Sequence, residues 1–209
     1  MNAPYYPPPP PAPRNNASIW ILGILGAFGG CALIFVIAIA FAVSTFQRSS
    51  AFHSARARSM QNQRNFAEAE KEWRIAYEVK KDDPSVLNNF AWCLYLEGKN
   101  AEAESLAQTA VKLNPGRLNY MDTLAHIHFG LQKYDLAEKE FKQVVKTEPT
   151  HGYSYQGLGH IYEHKKDYAQ AQGCYIKAPD RARPVEGLEE DLKRIEKLVA
   201  KDKAEGRRQ

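Results

Sequence analysis

The chain has 209 residues, 44% of them hydrophobic, and a formal net charge of +4. Five of its 28 basic residues (Arg14, Arg48, Arg56, Arg58 and Arg64) precede the first acidic one, Glu68, leaving 23 against all 24 acids, so residues 68–209 carry a net −1. A near-neutral body of this kind lacks the basic face that nucleic-acid binding needs.

The first 17 residues contain an unbroken run, Pro7 to Pro11, among Tyr, Ala and Asn. Such a segment favours extended polyproline II and cannot build a core, so residues 1–17 read as a disordered Pro-rich tail. A tail of this type is also able to dock in an aromatic groove on a partner.

From Ser18 to Phe46 there is no charged residue, and Ile, Leu, Phe, Val and Ala dominate. At about 1.5 Å per residue a helix over 18–46 exceeds the roughly 30 Å hydrocarbon core, which predicts one transmembrane helix. A cleaved signal peptide competes, with Ala40-Phe41-Ala42 resembling a cleavage site and Cys31 after Gly29-Gly30 a lipid-attachment site. The apolar run is far longer than the roughly 7–15 residues of a signal core, and little positive charge precedes it, which favours an uncleaved anchor. Gly23, Gly26 and Gly30 place small residues at a spacing that lets two such helices pack, pointing to a homodimer in the membrane. The arginines at 48, 56, 58 and 64 suit anionic headgroups, and by the positive-inside rule they put the rest of the chain in the cytoplasm. The opposite topology would place it in a periplasm or lumen.

Beyond the juxtamembrane segment the sequence repeats. Ala69, Ala103, Ala137 and Ala171 are each 34 residues apart; so are Trp73, Ala107, Phe141 and Tyr175, and Ala76, Ala110, Val144 and Ala178. Upstream, Leu87, Met121 and Tyr155 recur at the same interval, as do Phe90, Leu124 and Leu158, and Ala91, Ala125 and Gly159. Within each unit apolar residues follow helical spacing, as at Leu87, Phe90, Ala91 and Leu94. Small residues at 91, 125 and 159 let paired helices approach closely, and a bulky replacement there would open a gap costing about 2–5 kcal/mol. Gly98 falls in the turn between two helices, where a left-handed backbone costs glycine little. Pro115 and Pro149 push Asn114 and Glu148 out of the helical region and end the second helices. Cys93 and Cys174 sit two repeats apart, too far to bridge, and read as small packing residues. A final segment, 184–209, opens at Pro184 and carries Val185, Leu188, Leu192, Ile195, Leu198 and Val199 on one stripe, with Glu189, Glu190, Asp191 and Glu196 on the polar face. It reads as a capping helix ending near Gly206.

A 34-residue helical period marks a helix-turn-helix solenoid. Residues 50–178 resemble the tetratricopeptide repeat (TPR) family, most completely in the last unit, at Tyr155, Leu158, Gly159, Tyr162, Ala171, Tyr175 and Ala178. The resemblance implies an all-α, right-handed superhelix of antiparallel helix pairs. The units are a degenerate first repeat within 47–83, then 84–117, 118–151 and 152–183. In the first, His53 and Arg56 occupy places where large apolar residues belong. His128 falls where the family carries an aromatic and is expected to pack.

In this family the first helices of successive units line a concave groove. Carried over, that gives Asn88, Trp92 and Tyr95; Asn119, Asp122, His126 and Phe129; and Tyr153, Gln156, His160 and Glu163. Amides that pair with an extended backbone and aromatics that supply contact area suit a protein or peptide partner. Some members hold a C-terminal carboxylate with Lys, Asn and Arg. The matching positions here, Asn119, Thr123, Tyr153 and Gly157, lack the cations, which argues against that ligand. His126, His160 and His164 invite a metal, but no thiolate joins them and no ligand cluster forms. No nucleotide, hydrolase or metalloprotease motif is present, so neither a cofactor nor enzymatic activity is expected. The expectation is a membrane-anchored scaffold that recruits a partner through the groove. The alternative is a self-associating structural component, or an ancillary subunit of a protein-translocation or envelope-assembly complex.

Overall fold

The computed structural model describes Thr45, residues 49–179 and residues 185–206. The Pro-rich tail and the apolar stretch 18–46, with Gly23, Gly26 and Gly30, lie outside the described residues apart from Thr45. Among the described residues no helix is long and apolar enough to cross a membrane.

Residues 49 onward form one compact unit. Among the described residues it holds nine helices and no strand: α1 (Ser50–Asn62), α2 (Phe66–Val79), α3 (Pro84–Leu96), α4 (Asn100–Leu113), α5 (Leu118–Gly130), α6 (Tyr134–Thr147), α7 (Gly152–His164), α8 (Tyr168–Lys177) and α9 (Leu188–Gly206). α1 to α8 pair as consecutive hairpins. Each pair packs on the next, and α3, α5 and α7 also touch in succession, so first helices form one face. α9 packs on α8. The result is a superhelix of TPR-like helix pairs.

The 34-residue period is written into both kinds of turn. Within each pair the first helix closes on a left-handed residue, at Arg64, Gly98, Gln132 and Lys166, with φ of 59°, 77°, 61° and 60°. After each, the next amide bonds back five residues, as Lys99 N to Leu94 O at 2.9 Å and Lys133 N to His128 O at 2.8 Å. This is the Schellman closure, and glycine occupies its strained position in only one of four units. Between pairs, Lys80, Asn114 and Glu148 leave the helical region, with φ of −142°, −144° and −127° and ψ of 81°, 78° and 88°. Two of them precede proline, as the sequence predicts; Lys80 adopts the same conformation without one.

Trp73, Ala107, Phe141 and Tyr175, one repeat position, are all fully buried and anchor the core of each pair. Opposite them the helices cross at Ala91, Ala125 and Gly159. A Cβ on Gly159 would overlap the Tyr175 ring, which explains why only glycine serves there. The second helices are stitched to the following units by lysines. Lys99 Nζ reaches Glu70 at 2.5 Å, Lys133 Nζ reaches Glu104 at 2.6 Å and Lys165 Nζ reaches Glu138 at 2.5 Å. Burial alone would raise the Glu138 carboxyl, yet Lys142 and Lys165 hold it down to about 2.

Three expectations change on contact with the structure. The first unit is not simply degenerate: His53 and Arg56 both bond to buried Glu72, at 2.6 and 2.9 Å, so an ion-paired cluster stands in for apolar contact. His128 is buried, but between carboxylates: Nδ1 lies 2.7 Å from Glu140 and Nε2 3.1 Å from Glu104. The capping helix begins at Leu188 rather than Pro184, after Gly187 at φ +77°. Pro184 itself lies outside the described residues, and the left-handed Gly187 separates it from the helix.

Candidate peptide-binding groove

The first helices present rungs at repeat spacing. Ser54, Asn88, Asp122 and Gln156, one each on α1, α3, α5 and α7, are exposed by 5%, 6%, 8% and 8%. A polar side chain buried to this degree ordinarily requires a partner. A second row, one turn on, is Trp92, His126 and His160. A third begins each helix at Asn119 and Tyr153.

Asn88, Trp92, Asn119, Asp122 and Tyr153 line a single open groove of about 940 Å³. Behind Trp92 the aromatic stack continues inward. Tyr95 lies 5.0 Å away centroid to centroid, and the His126 ring sits edge-on between Trp92 at 5.6 Å and Phe141 at 4.8 Å. Tyr95 and His126 therefore act as backing to the groove wall. Burial keeps the His126 imidazole below its usual range, and burial with the Asp122 charge raises the Tyr95 phenol.

The C-terminal part of the expected site is engaged by the capping helix. Gln156 donates to Asp191 at 2.7 Å and to the Glu186 carbonyl at 2.9 Å. His160 Nε2 lies 3.0 Å from Asp191, and Arg194 forks onto both oxygens of Glu163 at 2.8 Å. Asp191 is thus not on the solvated polar face of α9: it is 5% exposed. Burial alone would push its carboxyl up, but Gln156, His160 and Arg194 more than offset this and leave it below the usual range. Arg194, joined by the Tyr175 hydroxyl, holds Glu163 low as well. Phe129, His160 and Glu163 instead border a separate hollow of about 500 Å³ with Tyr168 and Leu198.

The open groove also contains residues that sequence reasoning passed over. Gln61, Asn62, Arg64 and Phe66 come from the first unit, Asn89 and Leu96 from the second, and His151 and Glu186 from further along, beside Thr123, already named among the carboxylate-gripping positions. Arg64, in the first turn, pairs with Glu186 ahead of the capping helix, 122 residues later. The 34-residue register carried backwards from Gly98 points at Arg64; Glu186 has no repeat register to reveal it. Asp122 accepts the Ser154 hydroxyl at 2.5 Å. His151 caps α7, its Nδ1 accepting from the Ser154 amide at 3.3 Å. A Cβ on Gly157 would overlap the Phe141 ring, so no cationic side chain fits at that carboxylate-gripping position. Among the described residues no three His, Cys, Asp or Glu side chains are arranged to hold a metal ion.

The chain matches other proteins in fold over most of its length. PilW, described as a widely conserved type IV pilus biogenesis factor, is similar at a TM-score of 0.64 and 17% identity, over 90% of this chain and 88% of that one. Pseudomonas aeruginosa PilF aligns at a TM-score of 0.56 and 20% identity, over 75% of this chain and 72% of its own. The first TPR domain of Spaghetti (RPAP3), bound to the HSP90 peptide SRMEEVD, aligns at 0.52 and 23% identity, over 57% of this chain and 94% of that domain. In sequence, a probable assembly chaperone of rpl4 from Emericella nidulans is 34% identical over 80 residues, 36% of this chain. The chain spans about a fifth of that relative's length (21%). The tetratricopeptide repeat model matches residues 54–117 and 123–175, more than half of the chain. The chain belongs to the tetratricopeptide repeat family.

Proposed function

We propose that the protein is a membrane-anchored scaffold that recruits an extended segment of a protein partner through the groove on α3, α5 and α7. The observation that carries this reading is the open groove itself. It is floored by Asn88 and Asp122, flanked by Asn119 and Tyr153, and walled by Trp92. Amide and carboxylate oxygens on such a floor pair with backbone N–H groups, and a supported aromatic supplies contact area at little entropic cost. The RPAP3 domain, of the same fold, is seen with a peptide bound. Its HSP90 peptide ends in acidic residues, whereas the groove here offers no free lysine or arginine at the matching positions, so the expected ligand differs.

The apolar stretch 18–46 supplies the anchor in this reading, and the arginines after it favour repeats on the cytoplasmic side. Tethering raises the effective concentration of the groove for membrane partners without any chemistry. The likeness to PilW, a type IV pilus biogenesis factor, supports envelope-assembly machinery as the setting. Cross-linking in native membranes followed by purification tests the proposal, comparing wild type with Trp92→Ala/Asn119→Ala. The expected result is a partner present with wild type and lost with the variant, with the chain resisting carbonate extraction. A partner retained by a folded variant would place binding elsewhere.

A second reading, self-association, is favoured by one feature. Val79 and Leu113 share a repeat position on the second helices and are 49% and 48% exposed, with Ile75 one turn away at 43%. Sedimentation that depends on concentration in wild type, and not in Val79→Glu/Leu113→Glu, would support it.

A further inference from the structure

Resting on the groove reading above, the chemistry of two neighbouring rungs narrows what the partner segment carries. Asn88 is 6% exposed, lines the groove, and its Oδ1 has no hydrogen-bond donor. A buried acceptor left unpaired costs about 1–3 kcal/mol, so its retention calls for a ligand donor. One rung along, Asp122 Oδ1 is taken by the Ser154 hydroxyl, while His126 Nε2 stands 3.8 Å from Oδ2, beyond hydrogen-bond reach.

Among the described residues no lysine or arginine pairs with Asp122. His151 Nδ1 lies 3.0 Å from the Ser154 hydroxyl and 3.6 Å from Asp122 Oδ1, outside hydrogen-bond distance of the carboxylate. His126 is kept neutral by burial. The groove's Arg64 is already paired with Glu186. A buried carboxylate without a countercharge is unfavourable by itself and strongly attracts one. Trp92, one turn from Asn88 and backed by Tyr95, borders the same space. An indole face beside two acceptors matches a cation that donates in its plane and stacks on a ring.

We propose that the Asn88–Trp92–Asp122 face of the groove is a specificity pocket for an arginine or lysine side chain in the partner segment. Asp122 Oδ2 accepts its N–H groups, a rotation of the Asn88 side chain brings the buried Oδ1 to join it, and Trp92 covers its alkyl stem or guanidinium plane. The recognised ligand is thus a basic peptide, opposite in charge to the acidic tail seen in the RPAP3 complex.

A displayed library of random heptapeptides, panned against the full-length chain in detergent, tests this. The expected result is enrichment of peptides with Arg or Lys at one fixed position. Enrichment is expected to vanish with Asp122→Asn, and the best peptide to weaken roughly ten- to hundred-fold, the range for losing a charge-assisted bond. Asp122→Asn keeps an oxygen for Ser154, and its unfolding midpoint reports whether the fold survives. Asn88→Ala provides a second variant that removes an unpaired oxygen, costs the fold little and still weakens the basic peptides. Peptides enriched without a basic position overturn the pocket and leave the groove reading standing. So does a basic preference unchanged in Asp122→Asn and Asn88→Ala. No enrichment above a Trp92→Ala control overturns both.

Discussion

Asp191 of the capping helix receives the side-chain amide of Gln156 at 2.7 Å, which turns a residue of the solenoid's inner face into a docking point for the chain's own C-terminus. The same carboxylate takes Arg194 at 2.6 Å and His160 at 3.0 Å. Asp191→Ala leaves the Gln156 amide buried without that acceptor, at a cost of about 1–3 kcal/mol. Units of a solenoid contact chiefly their neighbours, and the Arg64–Glu186 pair that reaches from the first turn to this end is solvent-exposed and weak, so the loss is expected to stay local. Hydrogen exchange should show reduced protection in α9 and α8 with α2 to α5 unchanged. Uniform loss of protection along the chain would contradict this nearest-neighbour picture.

Gln132 and Lys166 hold left-handed backbone, at φ 61° and 60°, in turns where Gly98 adopts φ 77°. The left-handed region costs a residue with a Cβ about 1–2 kcal/mol. Glycine brings about 0.5–1 kcal/mol of extra unfolded-state entropy, which offsets part of the gain. Gln132→Gly and Lys166→Gly are therefore expected to stabilise the fold by about 0.5–1 kcal/mol each, and Gly98→Ala to destabilise it by a similar amount. Urea midpoints with unchanged m-values are the readout. A lower midpoint for both glycine variants would show that the turns carry no strain.

His128 and His126 respond to pH in opposite senses. The hydrogen bond that His128 donates to Glu140, with Glu104 on the other nitrogen, raises His128 above its usual range despite burial. Its stabilisation is complete below the unfolded value of about 6.5 and is lost as pH rises through the higher folded value. Burial lowers His126, so the native state stays neutral while the unfolded chain takes a proton, and that contribution fades on acidification below about 6.5. The stability gap between wild type and His128→Gln should be widest in mild acid and narrow toward alkaline pH. A gap independent of pH would mean that folding leaves the His128 imidazole at its unfolded value.

Much of this architecture is legible in the sequence because it repeats. Trp73, Phe141 and Tyr175 are large at a position where burial is complete, and Asn114 and Glu148 announce their non-helical backbone through the following proline. The Schellman turns are harder to read, since Arg64, Gln132 and Lys166 hide a glycine-like conformation behind ordinary side chains. His128 misleads for a different reason: an aromatic position was filled by an imidazole whose partners, Glu104 and Glu140, lie on other helices. The groove's inner end could not be divided in advance. Gln156, His160 and Glu163 continue rungs that begin at Asn88, Trp92 and Tyr95, and only the register of α9 shows that they meet Asp191 and Arg194. That helix lies outside the repeat, so no spacing rule places its side chains.

Gly159 marks a helix crossing with no room for a side chain. A Cβ there would overlap the ring of Tyr175, which is fully buried and donates its hydroxyl to Glu163 at 2.6 Å. The ring has little freedom to retreat: its hydroxyl is tied to a carboxylate that Arg194 also grips. Gly159→Ala is therefore expected to force α7 and α8 apart and cost about 1–3 kcal/mol, although alanine is the better helix former by about 1 kcal/mol. Tyr175→Leu shortens the opposing side chain and opens a cavity, so alone it is also destabilising. Combined, the two changes fit each other, and the double variant should be more stable than the sum of the single losses predicts. Thermal unfolding of the four proteins in a double-mutant cycle measures this coupling. Simple additivity would mean that α7 and α8 accommodate the methyl group by some route other than displacing Tyr175.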